Sequence, residues 1–412
     1  MRSPATIGAS PASPAALGDL YSVAAVRTAA SRVLPRPVFD FADGGAETEA
    51  SLRRNEAAFA EIALLPRPLR GAAARDTSIT LLGHRLSMPL VVGPAGLAGL
   101  FWPDGECCTA RAAREAGVGF CLSHGSVATL ETVAATGAAP RWMQVFIYKD
   151  RGFTRELAER AKAAGYDGLV LTIDNQLIGN RERDLRNGFT IPPAPGFAGI
   201  ADSLTRAGWL WRMRRELPRI TFGNYVRPGE PADAAALAGR MSELLDPGMT
   251  WADVDDLRRT WDGPLLLKGI LHPGDAADAV RRGVDGIIVS NHGGRQLDGA
   301  ASPIEVVASV VEAVGGAIPV LLDGGVRRGG DILKALALGA TACLIGRPQL
   351  WGLAVAGEAG VGRILEIYRG ELDRAMGLCG FTRIADIDRS VLLERPRVAA
   401  FGAGAPTSET AE

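Results

Sequence analysis

Apolar residues gather into eight short runs, each bounded by Gly, Pro or Asp: 90–95, 119–123, 142–147, 168–174, 264–270, 286–291, 319–325 and 342–347. Runs this short, with no polar alternation, read as strands buried on both faces. Ala/Arg/Glu-rich stretches with helical spacing separate most of them, at 106–115, 154–164, 273–282 and 330–338. Eight strand–helix units over about 260 residues predict a closed (β/α)8 TIM barrel. An open doubly wound sheet is the alternative, but no Gly-x-Gly-x-x-Gly follows the first run.

The regular spacing breaks once. About 90 residues separate the fourth and fifth runs, too many for one crossover. The segment 188–245 is rich in Pro and Gly and contains a Trp/Arg cluster around Trp209 and Trp211, so it reads as a long loop inserted after strand four. Residues 19–75 read as N-terminal helices capping one end of the barrel. The expected organisation is a tail over 1–18, one barrel domain over 19–388, and a C-terminal tail over 389–412, with disorder expected at the polar ends.

Composition narrows the class. The chain has 412 residues, 47% of them hydrophobic, enough for one large core. A net charge of −1 and the lack of a basic stripe argue against nucleic acid. Its five cysteines form no CxxC pair, so neither a zinc site nor a disulfide framework is expected, and no metal is assigned. Residues 1–18 lack the apolar core of a secretory signal, and no run is long enough to span a bilayer. A reduced, cytoplasmic protein is the expectation. Lysines are few (Lys149, Lys162, Lys268 and Lys334), which makes Lys268 at the end of a buried run conspicuous.

Barrels of this kind place their chemistry at strand carboxyl ends. The first strand ends in Gly93-Pro94-Ala95-Gly96, small residues that let something flat approach the backbone. Ser123, Gln144 and Thr172 end or line the next three, neutral hydrogen-bonders suited to the edge of a heteroaromatic ring. Lys268 would set a cation against that ring, as suits a flavin N1. Ser290 and then His292 and Arg295 follow strand six, a base three residues from a guanidinium fork that can grip a carboxylate. Asp323-Gly324-Gly325-Val326-Arg327 and Gly346-Arg347 end the last two strands, where glycine-turn amides and two arginines form a phosphate pocket. His84, His124 and His272 are read as structural: His84 falls in an edge strand and His272 precedes a helix-starting proline.

With these residues assembled, the chain resembles the FMN-dependent α-hydroxy-acid oxidase and dehydrogenase family over about 19–388. The most specific stretches are 290–298, Leu322-Asp-Gly-Gly-Val-Arg-Arg-Gly-Gly-Asp331 with Lys334-Ala-Leu-Ala-Leu-Gly339, and Arg181-Glu-Arg-Asp184. Gly93-Pro-Ala-Gly-Leu-Ala-Gly-Leu-Phe-Trp-Pro103 and 180–185 resemble the mandelate dehydrogenase branch. The resemblance implies FMN as cofactor, with His292 as catalytic base and Asp174 stabilising its imidazolium form. It further implies Arg181 and Arg295 on the substrate carboxylate, Lys268 on flavin N1, Asp323, Gly325, Arg327, Gly346 and Arg347 on ribityl and phosphate groups, and Ser123, Gln144, Thr172 and Ser290 along the ring. A homotetramer is implied by the family alone.

Two positions depart from the family pattern. Phe41 and Phe146 stand where substrate-contacting tyrosines are usual, and each lost bond to a charged group costs about 1.5–3 kcal/mol. Two phenyl faces would instead favour an (S)-2-hydroxy acid with an aryl or bulky apolar substituent, and Gly125, where glycolate oxidase has a bulky aromatic, adds room. Alternatives are an L-lactate dehydrogenase or oxidase, an FMN-barrel isomerase, and a non-catalytic flavin binder. The electron acceptor is expected to be a quinone or O2, and Gly96, where family oxidases tend to have alanine, favours a dehydrogenase. Phe197, Ile200, Leu204, Trp209, Leu210, Trp211 and Met213 with five nearby arginines suggest a peripheral membrane contact through 197–220 on the inner face, against the alternative of a lid or subunit contact.

Overall fold

The computed structural model describes residues 17–189, 197–226 and 245–393. Each of the eight apolar runs forms a strand of one closed parallel barrel: β3 (Leu90–Val92), β4 (Gly119–Leu122), β5 (Arg141–Val145), β6 (Gly168–Thr172), β7 (Leu265–Ile270), β8 (Gly286–Ser290), β9 (Val320–Asp323) and β10 (Ala342–Ile345), with β10 closing on β3. Nearly every strand residue is buried, because helices cover the outside and side chains fill the inside.

Inward-facing positions alternate with period two. Val91, Cys121, Trp142, Val170, Leu266, Ile288 and Leu321 pack as one apolar layer inside the barrel. A hairpin of β1 (Ile79–Leu81) and β2 (His84–Leu86) adds Leu81 and Leu86 to that layer on the side of the strand starts, where Ser87 N donates to Gly117 O. Two residues further along six of these strands, the inward position becomes polar: Ser123, Gln144, Thr172, Lys268, Ser290 and Asp323, while β3 reaches Gly93. The alternation that fills the core thus delivers six polar side chains to one level.

The helical stretches between strands are α4 (Gly105–Ala116), α5 (Leu130–Ala134), α6 (Arg151–Ala163), α11 (Pro273–Arg281), α12 (Pro303–Val314) and α13 (Gly329–Ala337). His272 caps α11 by accepting from Gly274 N, and His84 lies in β2. Ahead of the barrel run α1 (Val23–Val33), α2 (Arg36–Asp43) and α3 (Ala50–Ala60). Between β6 and β7 come α7 (Glu182–Arg186), α8 (Phe197–Thr205), α9 (Ala207–Met213) and the crossover helix α10 (Trp251–Thr260). Packed structure continues past 388: Val391 is buried and Leu393 N donates to Ala63 O. The tail readings over 1–16 and 394–412, and part of the insertion reading, lie outside the described residues.

α3 sits directly on the carboxyl end of the barrel. A β-carbon at Gly325 would stand 1.9 Å from the Asn55 carbonyl oxygen, and Gly325 has φ +80°, so only glycine fits. Asn55 and Asn291 exchange two side-chain hydrogen bonds, 2.8 and 2.7 Å long, in a buried setting. Asn55→Ala would leave the Asn291 amide short of one donor and one acceptor. The expected loss is about 1–3 kcal/mol of stability, seen as a lower urea midpoint with an unchanged slope; an unchanged midpoint would mean that α3 does not depend on this pair.

Candidate active site

At the polar level of the barrel the six side chains form two hydrogen-bonded groups of three. Gln144 Nε2 donates to Thr172 Oγ1 (2.9 Å) and Ser123 Oγ to Gln144 Oε1 (3.2 Å). Lys268 Nζ lies 3.0 Å from Ser290 Oγ and 2.9 Å from Asp323 Oδ2, and Ser290 Oγ donates to the same carboxylate at 2.8 Å. Burial alone would discharge Lys268, but Asp323 and Asp174 outweigh it and hold the pKa above the ordinary lysine value. Asp323 is held below the usual carboxylate range: burial opposes this, and Lys268 wins. The pair is therefore ionic, deep in the barrel.

His292 follows β8 in a left-handed backbone, φ +56°, which a branched path of hydrogen bonds supports: its N–H donates to Ser290 Oγ (3.0 Å) and its Nδ1 lies 2.9 Å from Asp174 Oδ1. Asp174 reaches it through a gap made by Gly269. The ladder between β7 and β8 shifts register between Lys268 and Ile270, and a β-carbon on Gly269 would stand 2.8 Å from Asp174 Cβ. Gln296 Nε2 ties down the Asp174 loop by donating to Asp174 O (2.7 Å) and Leu177 O (2.9 Å). Burial lowers the His292 pKa, Asp174 opposes the shift, and Lys268 adds to it. The ring is thus neutral near pH 7, Nδ1–H donating to the carboxylate and the Nε2 lone pair left for the crevice.

Three partly buried arginines surround this centre. Arg295 donates to Phe41 O (2.8 Å) and Gly44 O (2.9 Å), and Arg347 to Gly44 O (2.7 Å) and Gly293 O (3.0 Å). Arg181 Nε has no partner among the described residues. Burial, then repulsion from Arg181 and Arg347, pushes Arg295 well down; burial and Arg327 bring Arg347 to about 10; burial lowers Arg181. Guanidiniums stay protonated even so. The direction registers an excess of positive charge that nearby carboxylates, Asp184 and Glu49 for Arg295 and Asp43, Glu56 and Asp323 for Arg347, offset only in part. Such a site is built to receive anions.

Two adjoining crevices open here. The inner one is lined by the 93–96 turn, Lys268, the 323–327 turn and Gly346-Arg347. The outer one is lined by Ser123, Gln144, Phe146 and Arg181, and both share Phe41, Pro94, Gly96, His292 and Arg295. Thr172 and Ser290 are fully buried behind the wall. Phe41 packs on Phe189 at 4.8 Å between ring centroids. The inner crevice suits FMN: small backbone-lined turns for a flat ring, a buried lysine beside it, and two arginines, Arg327 and Arg347, with the Gly324-Gly325 turn for a phosphate.

The sequence reading missed part of the outer wall. His124, taken as structural, lines it, together with Phe222, Tyr225 and Asn175. His124 directly follows Ser123 at a strand end, and that position was the available signal. Phe222 and Tyr225 arrive from the insertion, some hundred residues along the chain, and no local pattern announces them. The insertion reading also needs correction: Trp209 and Met213 are buried, with Trp209 Nε1 donating to Leu100 O at 3.0 Å. They anchor α9 to the barrel and are unavailable to a membrane. The side chains of Phe197 and Ile200 lie outside the described part.

Residues 30–394 match the family model for FMN-dependent dehydrogenase. The chain is 42% identical over 369 residues to an L-lactate dehydrogenase of Ectopseudomonas mendocina, covering 89% of this chain and 97% of the relative. It is 41% identical over 368 residues to 2-hydroxyacid oxidase 1 of Homo sapiens, covering 89% and 95%. Among solved structures it superimposes on (S)-mandelate dehydrogenase, described as a monotopic membrane protein, with TM-score 0.87 and 37% identity over 92% of this chain and all of that one. A mandelate oxidase structure gives TM-score 0.78 and 40% identity, covering 90% and 98%.

The His292 environment can be read directly. The chain has only four histidines, so ring resonances are separable by NMR. His292 should titrate below the ordinary imidazole value of about 6.5, and Asp174→Asn should move the midpoint lower still, because Asp174 opposes the shift. A midpoint that rose in the variant would contradict the geometry.

Proposed function

The chain belongs to the FMN-dependent dehydrogenase family, and we propose that within it this protein oxidises an (S)-2-hydroxy acid with an aryl or bulky apolar substituent to the 2-oxo acid. The observation that carries this reading is the convergence of a carboxylate-backed imidazole and two partly buried arginines, Arg295 bonded only to backbone carbonyls and Arg181 with an unpartnered Nε, on a crevice beside the FMN position. In this reading Lys268 holds the flavin pyrimidine edge, with Ser123, Gln144, Thr172 and Ser290 along the ring and Ala95 and Gly96 against its face. Asp323, Gly324, Gly325, Arg327, Gly346 and Arg347 hold the ribityl and phosphate groups. Bound FMN supplies the acceptor for the α-hydrogen and its electron pair.

The chain's own residues do the rest. Arg181 and Arg295 fix the substrate carboxylate as charge-assisted partners. His292 Nε2 takes the hydroxyl proton, and Asp174, 2.9 Å from Nδ1, stabilises the imidazolium that forms. Phe41, Phe146 and Phe222 supply apolar faces for the substituent, and a β-carbon at Gly125 would meet only the Phe222 ring and Ser123 Oγ, both no nearer than 3.8 Å. The structural neighbours named for mandelate support the aryl preference; the relatives named for L-lactate are the case against which it is tested.

For the acceptor, a quinone is favoured over O2. A β-carbon at Gly96 would sit 3.3 Å from Gly125 O, a tight fit that does not forbid alanine, so packing alone does not dictate the glycine. A peripheral membrane contact is part of the proposal, on the inner face and reduced to residues that are free to make it. Leu204 and Trp211 are 68% and 69% exposed, and Arg214 stacks on Trp211 at 4.1 Å with Arg215 and Arg219 nearby. No helix among the described residues is long and apolar enough to cross a membrane, so contact would be by this surface.

Anaerobic mixing with (S)-mandelate should bleach the visible flavin band rapidly, and faster than L-lactate or glycolate does. His292→Ala should keep the bound flavin and lose about 10²–10⁴ in the rate of bleaching. Wild-type rates led by lactate would remove the aryl preference, and full activity in the variant would remove His292 as base. Sedimentation with anionic vesicles should fall at least severalfold in Leu204→Ala/Trp211→Ala; equal binding by both proteins would sink the membrane contact.

A further inference from the structure

One wall of the outer crevice presents a donor that the proposed chemistry leaves unused. His124 is buried, lines that crevice, and lies against Phe146 with ring centroids 3.7 Å apart. Its Nδ1 is 2.5 Å from the Tyr225 hydroxyl and 3.2 Å from the Tyr148 hydroxyl, and the two hydroxyls are 2.5 Å from each other. Neither hydroxyl has another partner among the described residues.

Counting protons in this triangle fixes the tautomer. Burial pushes both tyrosines up, so each hydroxyl keeps its proton. Burial pushes His124 down to about 3, so its ring is neutral. Were Nδ1 protonated, three donors would share two acceptor oxygens and one would be left unmet in a buried site. With Nδ1 bare, Tyr148 donates to Tyr225, Tyr225 donates to Nδ1, and every proton is used. The ring proton then sits on Nε2. That nitrogen makes no hydrogen bond among the described residues, and the His124 ring borders the crevice. The neighbouring wall of Phe146, Phe222 and Leu245 is apolar.

We infer that His124 is a specificity-determining residue, its Nε2–H held by the Tyr148–Tyr225 pair to recognise an oxygen acceptor on the substituent of the 2-hydroxy acid. The inference rests on the function proposed above, in which Arg181, Arg295 and His292 already account for the carboxylate and the C2 hydroxyl. His124 borders the outer crevice and not the inner one, on the wall it shares with Phe146, Phe222 and Leu245, and in this inference its donor meets what extends beyond C2. A buried donor left unmet penalises a substituent of the same shape without an acceptor. Ether, carbonyl or hydroxyl oxygens are the groups it selects.

The test compares (S)-mandelates carrying a ring methoxy group with their ethyl isosteres, at each ring position, in the FMN-loaded protein. At one position the ether should be preferred about tenfold in kcat/KM, the scale of one buried hydrogen bond. In His124→Phe that ratio should collapse to near one, the ether losing about tenfold more than the isostere. ¹⁵N spectra of histidine-labelled wild type should show His124 with a protonated Nε2 and a bare Nδ1. No ether preference at any position, a preference surviving in the variant, or a bare Nε2 would each overturn the inference. If His124→Phe does not fold, the wild-type ratio and the nitrogen spectrum decide. Failure of every 2-hydroxy acid to bleach the flavin would instead bring down the proposed function, and this inference with it.

Discussion

Lys268 remains charged inside the barrel because Asp323 stands 2.9 Å away, and the rest of the site hangs on that pair. A buried ammonium without its carboxylate would lose its proton or cost several kcal/mol. Ser290 joins the pair by touching both, and the same Ser290 oxygen accepts the His292 backbone N–H. One ionic contact therefore fixes the end of β8, and with it the left-handed turn that aims the imidazole. The constraint extends sideways as well. Lys268 sits at a register shift, and the glycine after it opens the space through which Asp174 reaches His292. Charge, bulge and base are one arrangement and cannot be altered separately.

The N-terminal helices have an electrostatic task that a cap alone would not require. α2 ends at the site, and the carbonyls of Phe41, Asp43 and Gly44 accept from Arg295 and Arg347. Free carbonyls at a helix end carry partial negative charge and suit cations. They steady two guanidiniums without neutralising them, which leaves the positive charge available to ligands. A carboxylate in their place would have formed closed ion pairs and spent the site on itself. α2 is in turn secured from outside by Arg27 and Arg183, both paired with Asp43.

The barrel was legible because its strands are buried on both faces and stand out as unbroken apolar runs; all eight appear where the pattern places them. Six candidate side chains at strand ends converge for the same reason, since period-two alternation in a closed barrel brings inward positions to a common level. Legibility ends where loops take over. Trp209 looked like a surface anchor because its neighbours are arginines, yet the fold turns it inward onto Leu100. His124 looked like a packing residue because nothing near it in sequence reveals the two tyrosines that order it, one of them from the insertion. Chain-distant convergence of this kind leaves no periodic trace.

That division has a consequence for how such a site can change. Groups facing the inner crevice stand on strands and bond mainly to one another or to backbone, so a substitution there disturbs a connected network. The outer wall is assembled from Phe41, Phe146, Phe222, His124 and Tyr225, drawn from α2, two strand ends and the insertion. Most of these do not line the inner crevice, so their replacement reshapes the outer one and leaves the inner lining in place. The two crevices are coupled through the residues both share, Phe41, Pro94, Gly96, His292 and Arg295. Phe41 and Phe146 differ in this respect although both lack a hydroxyl. Phe146 belongs to the outer wall alone, whereas Phe41 also borders the inner crevice and lends its carbonyl to Arg295. A phenol at Phe146 would act on the outer crevice alone; one at Phe41 would act on both crevices and on the segment that holds Arg295.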